Sequence, residues 1–168
     1  LLNALIPLSR MRVSRIAAPM PGLAAQIGAG VFERMPVSMD APRDLLRIEH
    51  EQRDKLFTFA PSSLSFLLQP TDRSVEAWYG LQTDPNGQAS STRVCVRAAW
   101  VEQGQLRLAF ERWLDPTKEA KDRGPQRLQL EIPSSAPSHL LLAATLEDTD
   151  RVRNAWFWWS GVRFLSVR

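Results

Sequence analysis

The sequence predicts a mostly β protein, an antiparallel, jelly-roll-like β-sandwich of seven or eight strands that follows an extended N-terminal arm and one short N-terminal helix. Two observations predict this class. Short segments in which apolar and polar residues alternate follow one another from residue 55 onward. Turn signals separate these segments, and the strongest is Asp84-Pro85-Asn86-Gly87, in which Asn-Gly tolerates the positive φ of a tight turn.

The arm, residues 1–39, shows no periodic pattern. Its four prolines and three glycines argue against a long helix, and its apolar residues do not alternate with polar ones as in a solvated strand. It carries four arginines and a single acid, Glu33, so that the whole net charge of +3 lies in this segment. An apolar arm that cannot bury itself should lie along its own domain or along another subunit.

The beginning of the arm is apolar and then basic. Residues 1–8 are far too few to span a bilayer, which needs about 20 residues. The chain begins at Leu1 rather than at methionine, and we expect either processed native material or a chain without its first residues. The cluster of Arg10, Arg12 and Arg15 would suit anionic lipid headgroups or an acidic protein groove, and three solvated arginines are the equal alternative.

Residues 40–54 are predicted to form the short helix. Asp40 can cap free backbone N–H groups, Pro42 suits the first turn, and Asp44 complements the positive end of the helix dipole. The apolar face of this helix would consist of Leu45, Leu46 and Ile48.

The β-sandwich domain is predicted over residues 55–168. The fifth strand should place Leu106, Leu108 and Phe110 on one face, and the seventh is apolar throughout most of its length, which favours a central strand buried on both faces. The predicted strands span residues 55–59, 63–69, 74–81, 92–100, 106–112, 127–132, 140–146 and 156–164.

The last predicted strand is the most aromatic part of the chain, with three of the six tryptophans inside residues 156–159. Because side chains alternate along a strand, Trp156 and Trp158 should face one way and Phe157 and Trp159 the other. One pair can fill the core. The other pair lies outward, where tryptophan rings stack on sugars, cap a core or anchor an interface.

Composition argues against several functional classes. The single cysteine, Cys95, excludes an intrachain disulfide and is predicted to be buried and inert. Residues 40–168 carry 17 basic and 17 acidic residues, and such a balanced body argues against nucleic-acid binding. No Gly-x-Ser-x-Gly motif occurs, and neither His50 nor His139 has an obvious orienting partner. We therefore predict no enzyme, no catalytic residue, no cofactor and no metal.

Three carboxylates near the centre of the chain raise the question of calcium binding, because loops rich in carboxylates bind this ion. They are Glu111, Asp115 and Asp122. Three basic residues lie among them and no EF-hand spacing occurs, so we predict a solvated loop of ion pairs instead. Nothing in the sequence singles out a pair of catalytic carboxylates.

Three stretches match a known pattern of motifs in order. They are Trp78-Tyr79-Gly80-Leu81, the segment 110–116 together with Asp122-Arg123-Gly124, and the aromatic run 156–164 that ends in Ser-x-Val-Arg-Phe. In these motifs residues 59–164 resemble galactose-binding-like jelly-roll sandwiches, particularly modules of the NPCBM type, a group assigned to carbohydrate binding, and related extracytoplasmic domains of bacterial membrane proteins. The resemblance implies the fold more strongly than it implies a ligand.

The sequence also departs from this pattern. Closing strands of this kind often carry one aspartate before the tryptophan and another after the serine, where Ala155 and Gly161 stand here. If those acids order loops or bind polar ligands, their absence counts against sugar binding. The arm at 1–39 has no counterpart in the resemblance.

The sequence favours a non-catalytic, membrane-extrinsic accessory subunit that docks on and stabilises a larger bacterial membrane complex, for example an energy-converting photosynthetic reaction centre with its antenna. The apolar, basic arm and a body without catalytic groups motivate this hypothesis. Its partners would be other protein subunits and anionic lipid headgroups, on the periplasmic rather than the cytoplasmic side. The predicted partner-binding residues are Leu5, Ile6, Arg10, Met11, Arg12, Arg15, Met20, Phe32, Trp78, Trp113 and Trp156.

The alternative hypothesis is a carbohydrate-binding module that acts on an envelope polysaccharide. It predicts exposed aromatic rings beside polar side chains, and tryptophan fluorescence that changes when glycans are added. An envelope glycosyl hydrolase, the third hypothesis, would need two facing carboxylates.

Overall fold

The computed structural model describes residues 30–41, 54–82, 93–147 and 156–166, together with the backbone of residues 46–48. Within this part the chain forms ten strands and one 3₁₀ turn, Ala120–Asp122. None of the described residues belongs to a helix long and apolar enough to cross a membrane. The strands are β1 (Ser38–Asp40), β2 (Leu46–Ile48), β3 (Lys55–Phe57), β4 (Ser62–Leu67), β5 (Asp72–Leu81), β6 (Val94–Glu102), β7 (Gln105–Leu114), β8 (Gln126–Glu131), β9 (His139–Leu146) and β10 (Phe157–Ser166).

The strands form two five-stranded antiparallel sheets, which we name after their central strands. The β9 sheet has the order β1-β4-β9-β6-β7, and the β10 sheet has the order β2-β3-β10-β5-β8. Apart from β6–β7 and β2–β3, hydrogen-bonded neighbours are distant in sequence. This long-range antiparallel pairing is the architecture of a β-sandwich of the jelly-roll type, as the sequence predicts.

The core lies between the two sheets and depends on the alternation along β10. Phe157 and Trp159 are fully buried in the main core, with their ring centroids 5.1 Å apart. Tyr79 on the neighbouring strand β5 lies beside them, 5.7 Å from Trp159. Trp158 belongs instead to a second, smaller cluster with Phe57. The predicted division of the aromatic run between two faces is therefore confirmed.

The eight predicted strands correspond to β3 to β10, with ends that differ by a few residues. The seventh predicted strand is β9, which lies at the centre of its sheet as expected. The predicted face of the fifth strand, β7, is wrong. A β-bulge at Ala109 makes Phe110 pair with Ala98 but Leu108 with Ala99, so that Phe110 packs on the core and Leu108 faces the other side.

The helix predicted over residues 40–54 is wrong where the structure describes this segment. Asp40 ends strand β1, and residues 46–48 form β2, which pairs with β3. Helix-capping residues at the start of a segment indicate where a helix could begin, but strand pairing with a distant part of the chain overrides that local preference. The remainder of the predicted helix lies outside the described residues, as do residues 1–29 of the arm.

The described end of the predicted arm is part of the sandwich and not a separate element. Val31 and Phe32 are buried in the main core, and Phe32 forms a parallel bridge with Val162 of β10. Further along, Met39 is buried where β1 pairs with β4. The arm is predicted to lie along its own domain or along another subunit. Its described part packs against its own domain.

An ion pair attaches this segment to the rest of the fold. The Arg34 guanidinium donates to both carboxylate oxygens of Asp72, at 2.7 Å and 3.0 Å, and it also lies 4.2 Å from the centroid of Phe164. The backbone N–H of Gln69 donates to the same carboxylate at 2.7 Å. Burial by itself raises the pKa of Asp72, but the guanidinium and the N–H outweigh it and hold the pKa below its usual value.

We predict that the Arg34→Gln substitution lowers the free energy of unfolding at pH 7 by about 2 kcal/mol, because it removes charge-assisted hydrogen bonds from a buried carboxylate. Asp72 has a lowered pKa in the folded state, so its stabilising contribution is present above the unfolded pKa of about 4 and is lost as the pH falls through the folded value. Urea unfolding measures the free energy of unfolding at pH 7 and at pH 3. This free energy should decrease less on acidification for the variant than for the wild-type chain.

Arg107→Gln is the matched control, because Arg107 forms an exposed ion pair with Glu102 and should change stability by less than about 0.5 kcal/mol. Equal stability of Arg34→Gln and Arg107→Gln at pH 7 would contradict the prediction.

Candidate functional site

One end of the sandwich brings together the ends of strands from both sheets. Val94 of β6 pairs with both Leu114 and Leu146, so the residues flanking these three positions meet at the same end of the β9 sheet. In the β10 sheet, Leu81 pairs with Phe157, the first residue of β10. We call this the tryptophan end, because the residues beside these strand ends include two of the predicted tryptophans.

A cleft of about 430 Å³ lies at the tryptophan end, beside the edge strand β7. Seven of its eight lining residues are charged and the eighth is a tryptophan. We call it the charged cleft, and it is lined by Arg93, Arg112, Trp113, Asp115, Lys118, Glu119, Lys121 and Asp122. A concave site with one aromatic ring and many convergent hydrogen-bonding groups is suited to a small polar ligand.

Asp122 lies at the base of the cleft and connects two of its lining residues, Arg112 and Asp115. Its side chain is only 4% exposed, and both carboxylate oxygens have partners. Arg112 Nη2 donates to Oδ1 at 2.7 Å, and the backbone N–H of Asp115 donates to Oδ2 at 2.9 Å. Since a buried carboxylate is tolerated only when it is paired and hydrogen-bonded, this residue ties the 3₁₀ turn to the end of β7.

The loop from Asp115 to Asp122 is closed by short-range hydrogen bonds. The hydroxyl of Thr117 donates to Asp115 Oδ1 at 2.7 Å, and the backbone N–H of Glu119 donates to the Asp115 carbonyl at 2.8 Å. The Thr117 hydroxyl, followed by the nearby N–H and positive charge of Lys118, lowers the pKa of Asp115. The cleft therefore contains an ionised carboxylate at neutral pH.

Trp113 and Arg93 form the wall of the cleft on the outer face of the β9 sheet. The Arg93 guanidinium carbon lies 4.6 Å from the centroid of the Trp113 ring, within the range of a cation–π contact. The same guanidinium donates to Glu147 at 2.8 Å and lies 3.7 Å from Asp115. These contacts hold the indole in one orientation while its side chain remains half-buried.

Tyr79 lies beneath the Arg112–Asp122 pair, and both charges act on it. It is fully buried, and burial is the main cause that raises its pKa. Its hydroxyl has no hydrogen-bond partner of good geometry among the described residues. The polar floor of the cleft thus extends inward to the aromatic core of β5 and β10.

A second group of aromatic side chains lies on the outer face of the β10 sheet. Trp158 pairs across the strands with Phe57 and with Gly80, and the Lys55 ammonium lies 4.6 Å from the Trp158 ring centroid. Gly80 leaves room for the indole, since a Cβ there would lie 2.7 Å from Trp158 Cζ2. Trp78 is half-buried and packs against this group.

Trp156 stands at the edge of that group, at the tryptophan end. It is 40% exposed, and it packs edge-to-face against Phe57 and Phe59 with ring centroids 5.9 Å and 5.5 Å away. It is the most exposed aromatic side chain among the described residues. An exposed indole that is fixed by two other rings can stack on a ligand with little loss of conformational entropy.

A cleft of about 600 Å³ lies at the opposite end, where the β4–β5 and β8–β9 connections meet. Its walls include Pro70, Pro133 and Pro137, and the buried Asp72 that pairs with Arg34. No aromatic ring is among the described residues that line it, and its one carboxylate is already engaged by Arg34. We therefore place the candidate site at the tryptophan end.

The predicted partner-binding residues are distributed unevenly over the structure. Phe32 is buried and contacts Phe66 edge-to-face at 5.5 Å, so its ring is not available to a partner. Of the three tryptophans, Trp113 lines the charged cleft, Trp156 is exposed at the same end, and Trp78 is half-buried on the outer face of the β10 sheet. The other seven, Leu5, Ile6, Arg10, Met11, Arg12, Arg15 and Met20, lie outside the described residues.

The structure separates the three carboxylates considered for calcium. Glu111 pairs with Arg97 at 2.6 Å, and Asp122 pairs with Arg112. No group of three or more His, Cys, Asp or Glu side chains in the described residues is arranged to hold a metal ion. The predicted solvated loop of ion pairs is wrong for Asp122, because the loop folds back and buries this residue.

Two further expectations concern single positions. Cys95 is buried, and burial raises the pKa of its thiol to about 11, so it is not a nucleophile at neutral pH. At Gly161 the backbone is left-handed, with φ 57°, and a Cβ would lie 3.4 Å from Trp78 Cδ1. Glycine adopts this left-handed conformation without steric cost.

The sequence did not single out the basic residues of the charged cleft. Arg112 occupies an inner-face position of β7, where the alternation predicts an apolar residue, and Arg93 precedes β6. The sequence did indicate this region in one way: the resemblance includes the segment 110–116 with Asp122, where a strand with aromatic residues is followed by a polar loop. Four of the eight lining residues belong to that segment or are Asp122 itself.

The fold is similar to that of solved carbohydrate-binding modules. One match is the M60 catalytic domain with the CBM51-1 and CBM51-2 domains of Clostridium perfringens ZmpB, with a TM-score of 0.57 and 14% identity over 83% of this chain. Another is the CBM51 of Clostridium perfringens GH95 in complex with methyl-galactose, with a TM-score of 0.54 and 11% identity over 79% of this chain and 96% of that module. This chain spans 15% of the length of the ZmpB structure.

No protein-family profile and no curated protein sequence matches this chain. At such low identities the solved structures establish the fold, and the predicted resemblance to galactose-binding-like jelly-roll modules is confirmed. The hypothesis of an accessory subunit of a membrane complex is overturned. These two solved structures with this fold contain CBM51 modules and are not subunits of a membrane complex.

We predict that Asp122→Ala lowers the free energy of unfolding by about 3 kcal/mol, because it leaves Arg112 partly buried without its partner and frees the Asp115 N–H. Urea unfolding followed by tryptophan fluorescence measures the change. Glu119→Ala is the control from the same loop, since its ion pair with Lys121 is long, at 3.8 Å, and exposed. Similar losses for the two variants would show that Asp122 does not organise the cleft.

Proposed function

We propose that this chain is a non-catalytic carbohydrate-binding module and that the charged cleft binds a sugar. The observation that carries the proposal is the combination of a fold shared with CBM51 modules and a cleft of about 430 Å³ with one tryptophan among convergent polar groups. A cavity of this volume matches a mono- or disaccharide in size. One of the solved modules that share the fold is in complex with methyl-galactose, a ligand of this class.

The residues of the cleft supply the contacts that a sugar needs. The Trp113 ring offers an apolar surface to the C–H groups of a pyranose, while carboxylates such as Asp115 accept from its hydroxyls and guanidinium groups donate to its oxygens. Arg93 holds the Trp113 ring through the cation–π contact. Because the ion pairs fix these groups before the ligand arrives, little conformational entropy is lost on binding.

The charges of the cleft support binding rather than hydrolysis. A general acid of a glycosidase needs a raised pKa so that it stays protonated at working pH. The pKa of Asp115 is lowered instead, by the hydroxyl of Thr117 and the neighbouring basic groups. Both oxygens of Asp122 are engaged by Arg112 and a backbone N–H.

Trp156 offers a second aromatic surface, separate from the charged cleft and beside the outer face of the β10 sheet, for a longer glycan. It lies at the tryptophan end with 40% of its side chain exposed, and Phe57 and Phe59 support it. A ring in this position would stack on a second sugar unit. The proposed ligand is a polysaccharide of the bacterial envelope. Binding of such a ligand is consistent with the predicted extracytoplasmic, membrane-associated location.

We predict that a glycan array and tryptophan fluorescence titrations identify at least one bound glycan, and that Trp113→Ala weakens its binding by about tenfold or more, because the apolar contact with the ring is lost. Trp156→Ala should weaken binding of oligosaccharides more than binding of monosaccharides. Both variants should keep the far-ultraviolet circular dichroism of the wild-type chain.

Leu67→Ala is the control, because Leu67 is an exposed apolar side chain at the opposite end of the sandwich. Its affinity should equal that of the wild-type chain. An array with no bound glycan, or an affinity that Trp113→Ala leaves unchanged, would refute sugar binding in the charged cleft.

A further inference from the structure

The charges of the charged cleft are not equally accessible. It contains four cations, Arg93, Arg112, Lys118 and Lys121, and three carboxylates. Two of those carboxylates are screened from solvent, since Asp122 is 4% and Asp115 15% exposed at the side chain. The cations are at least 31% exposed, and the two lysines are 78% and 74% exposed. The third carboxylate, Glu119, is 55% exposed and pairs with Lys121. A ligand that enters the cleft therefore meets more exposed positive than negative charge.

The hydrogen-bonding capacity of the cleft is biased in the same direction. Asp122 has both oxygens engaged, and Asp115 Oδ1 accepts the hydroxyl of Thr117. Arg112 uses one N–H group to hold Asp122 and also interacts with the Tyr79 hydroxyl beneath it, while a guanidinium has five N–H groups. The groups that remain for a ligand are mostly donors, so the cleft complements a group rich in acceptors.

Arg112 is positioned to be the main contact for such a group. Its side chain is partly buried against the Asp122 carboxylate, which fixes it from behind, and 31% of it remains exposed in the cleft. A planar guanidinium that is already ordered matches a carboxylate with two parallel hydrogen bonds. The lysines at the rim of the cleft would add attraction that decreases with ionic strength.

We propose that the charged cleft binds the carboxylate of an acidic sugar and that Arg112 pairs with this carboxylate. This inference rests on the proposed sugar-binding function and names the class of sugar. The ring of the sugar lies against Trp113, and its carboxylate faces Arg112, with Lys118 and Lys121 at the rim. A sulfated sugar carries a related anionic group, and the fork geometry of arginine favours the planar carboxylate over the tetrahedral sulfate.

Isothermal titration calorimetry with four probes tests the proposal on the full chain. Glucuronic acid and N-acetylneuraminic acid carry a carboxylate, galactose 6-sulfate carries a sulfate ester, and galactose is neutral. We expect the carboxylated probes to bind at least about tenfold more tightly than galactose, as charge-assisted hydrogen bonds require. Their affinity should decrease as the salt concentration is raised from about 50 to about 300 mM, because this shortens the Debye length from about 14 Å to about 6 Å.

Two variants assign the effect to residues. Arg112→Lys keeps the positive charge beside Asp122 but lacks the fork, and it should weaken binding of the carboxylated probes about tenfold and binding of galactose by clearly less. Lys118→Gln combined with Lys121→Gln removes only exposed charges and should remove most of the salt dependence. Arg107→Gln, at the other end of β7, is the control and should change neither property.

Each outcome decides the proposal. Tighter binding of the carboxylated probes that depends on Arg112 supports it. Equal binding of galactose and glucuronic acid, or preference for the sulfated probe, overturns the acidic-sugar inference and leaves the sugar-binding function standing. Absence of binding by every probe and every arrayed glycan overturns both. If Arg112→Lys does not fold, the ranking of carboxylated, sulfated and neutral probes on the wild-type chain decides between these outcomes.

Discussion

Strand β10 imposes the main constraint on this fold, because it carries bulky aromatic side chains on both of its faces. Phe157 and Trp159 must be covered by the β9 sheet, and Trp158 must be covered on the outer face. Replacing one buried aromatic residue by alanine costs about 3–5 kcal/mol, a large part of the about 5–15 kcal/mol that stabilises a domain. The strand therefore lies at the centre of its sheet, between β3 and β5, where both faces can be buried.

The charged cleft is a consequence of how the edges of the two sheets meet. The edge strands β7 and β8 are joined by residues 115–125. An arginine on the inner face of an edge strand can bury its aliphatic part in the core and extend its guanidinium past the edge of the sheet to solvent. Arg112 does so, and the loop folds back so that Asp122 neutralises it. The Arg112–Asp122 pair connects strand β7 to the loop at this edge, and it leaves N–H donors of Arg112 facing solvent. The stability of the edge is therefore linked to the proposed binding of sugars.

The errors at the N-terminal side have a common physical cause. Asp40 and Pro42 resemble a helix start, and residues 1–39 lack any period, yet short strands that add to existing sheet edges need little pattern of their own. The parallel bridge from Phe32 to Val162 and the ion pair from Arg34 to Asp72 join positions more than a hundred and more than thirty residues apart, respectively. Contacts at such separations leave no local signature in the sequence.

Alternation and turn residues are local properties of the chain. The β class, eight of the ten strands in the described part of the chain, and the division of the aromatic run between two faces could therefore be predicted from the sequence. The pairing of the charges, in contrast, depends on the folded chain. Folding buries Asp122 against Arg112, places Trp113 beside Arg93, and puts Phe32 inside the core. These pairings depend on sheet order and on a bulge in β7, and neither can be read from periodicity.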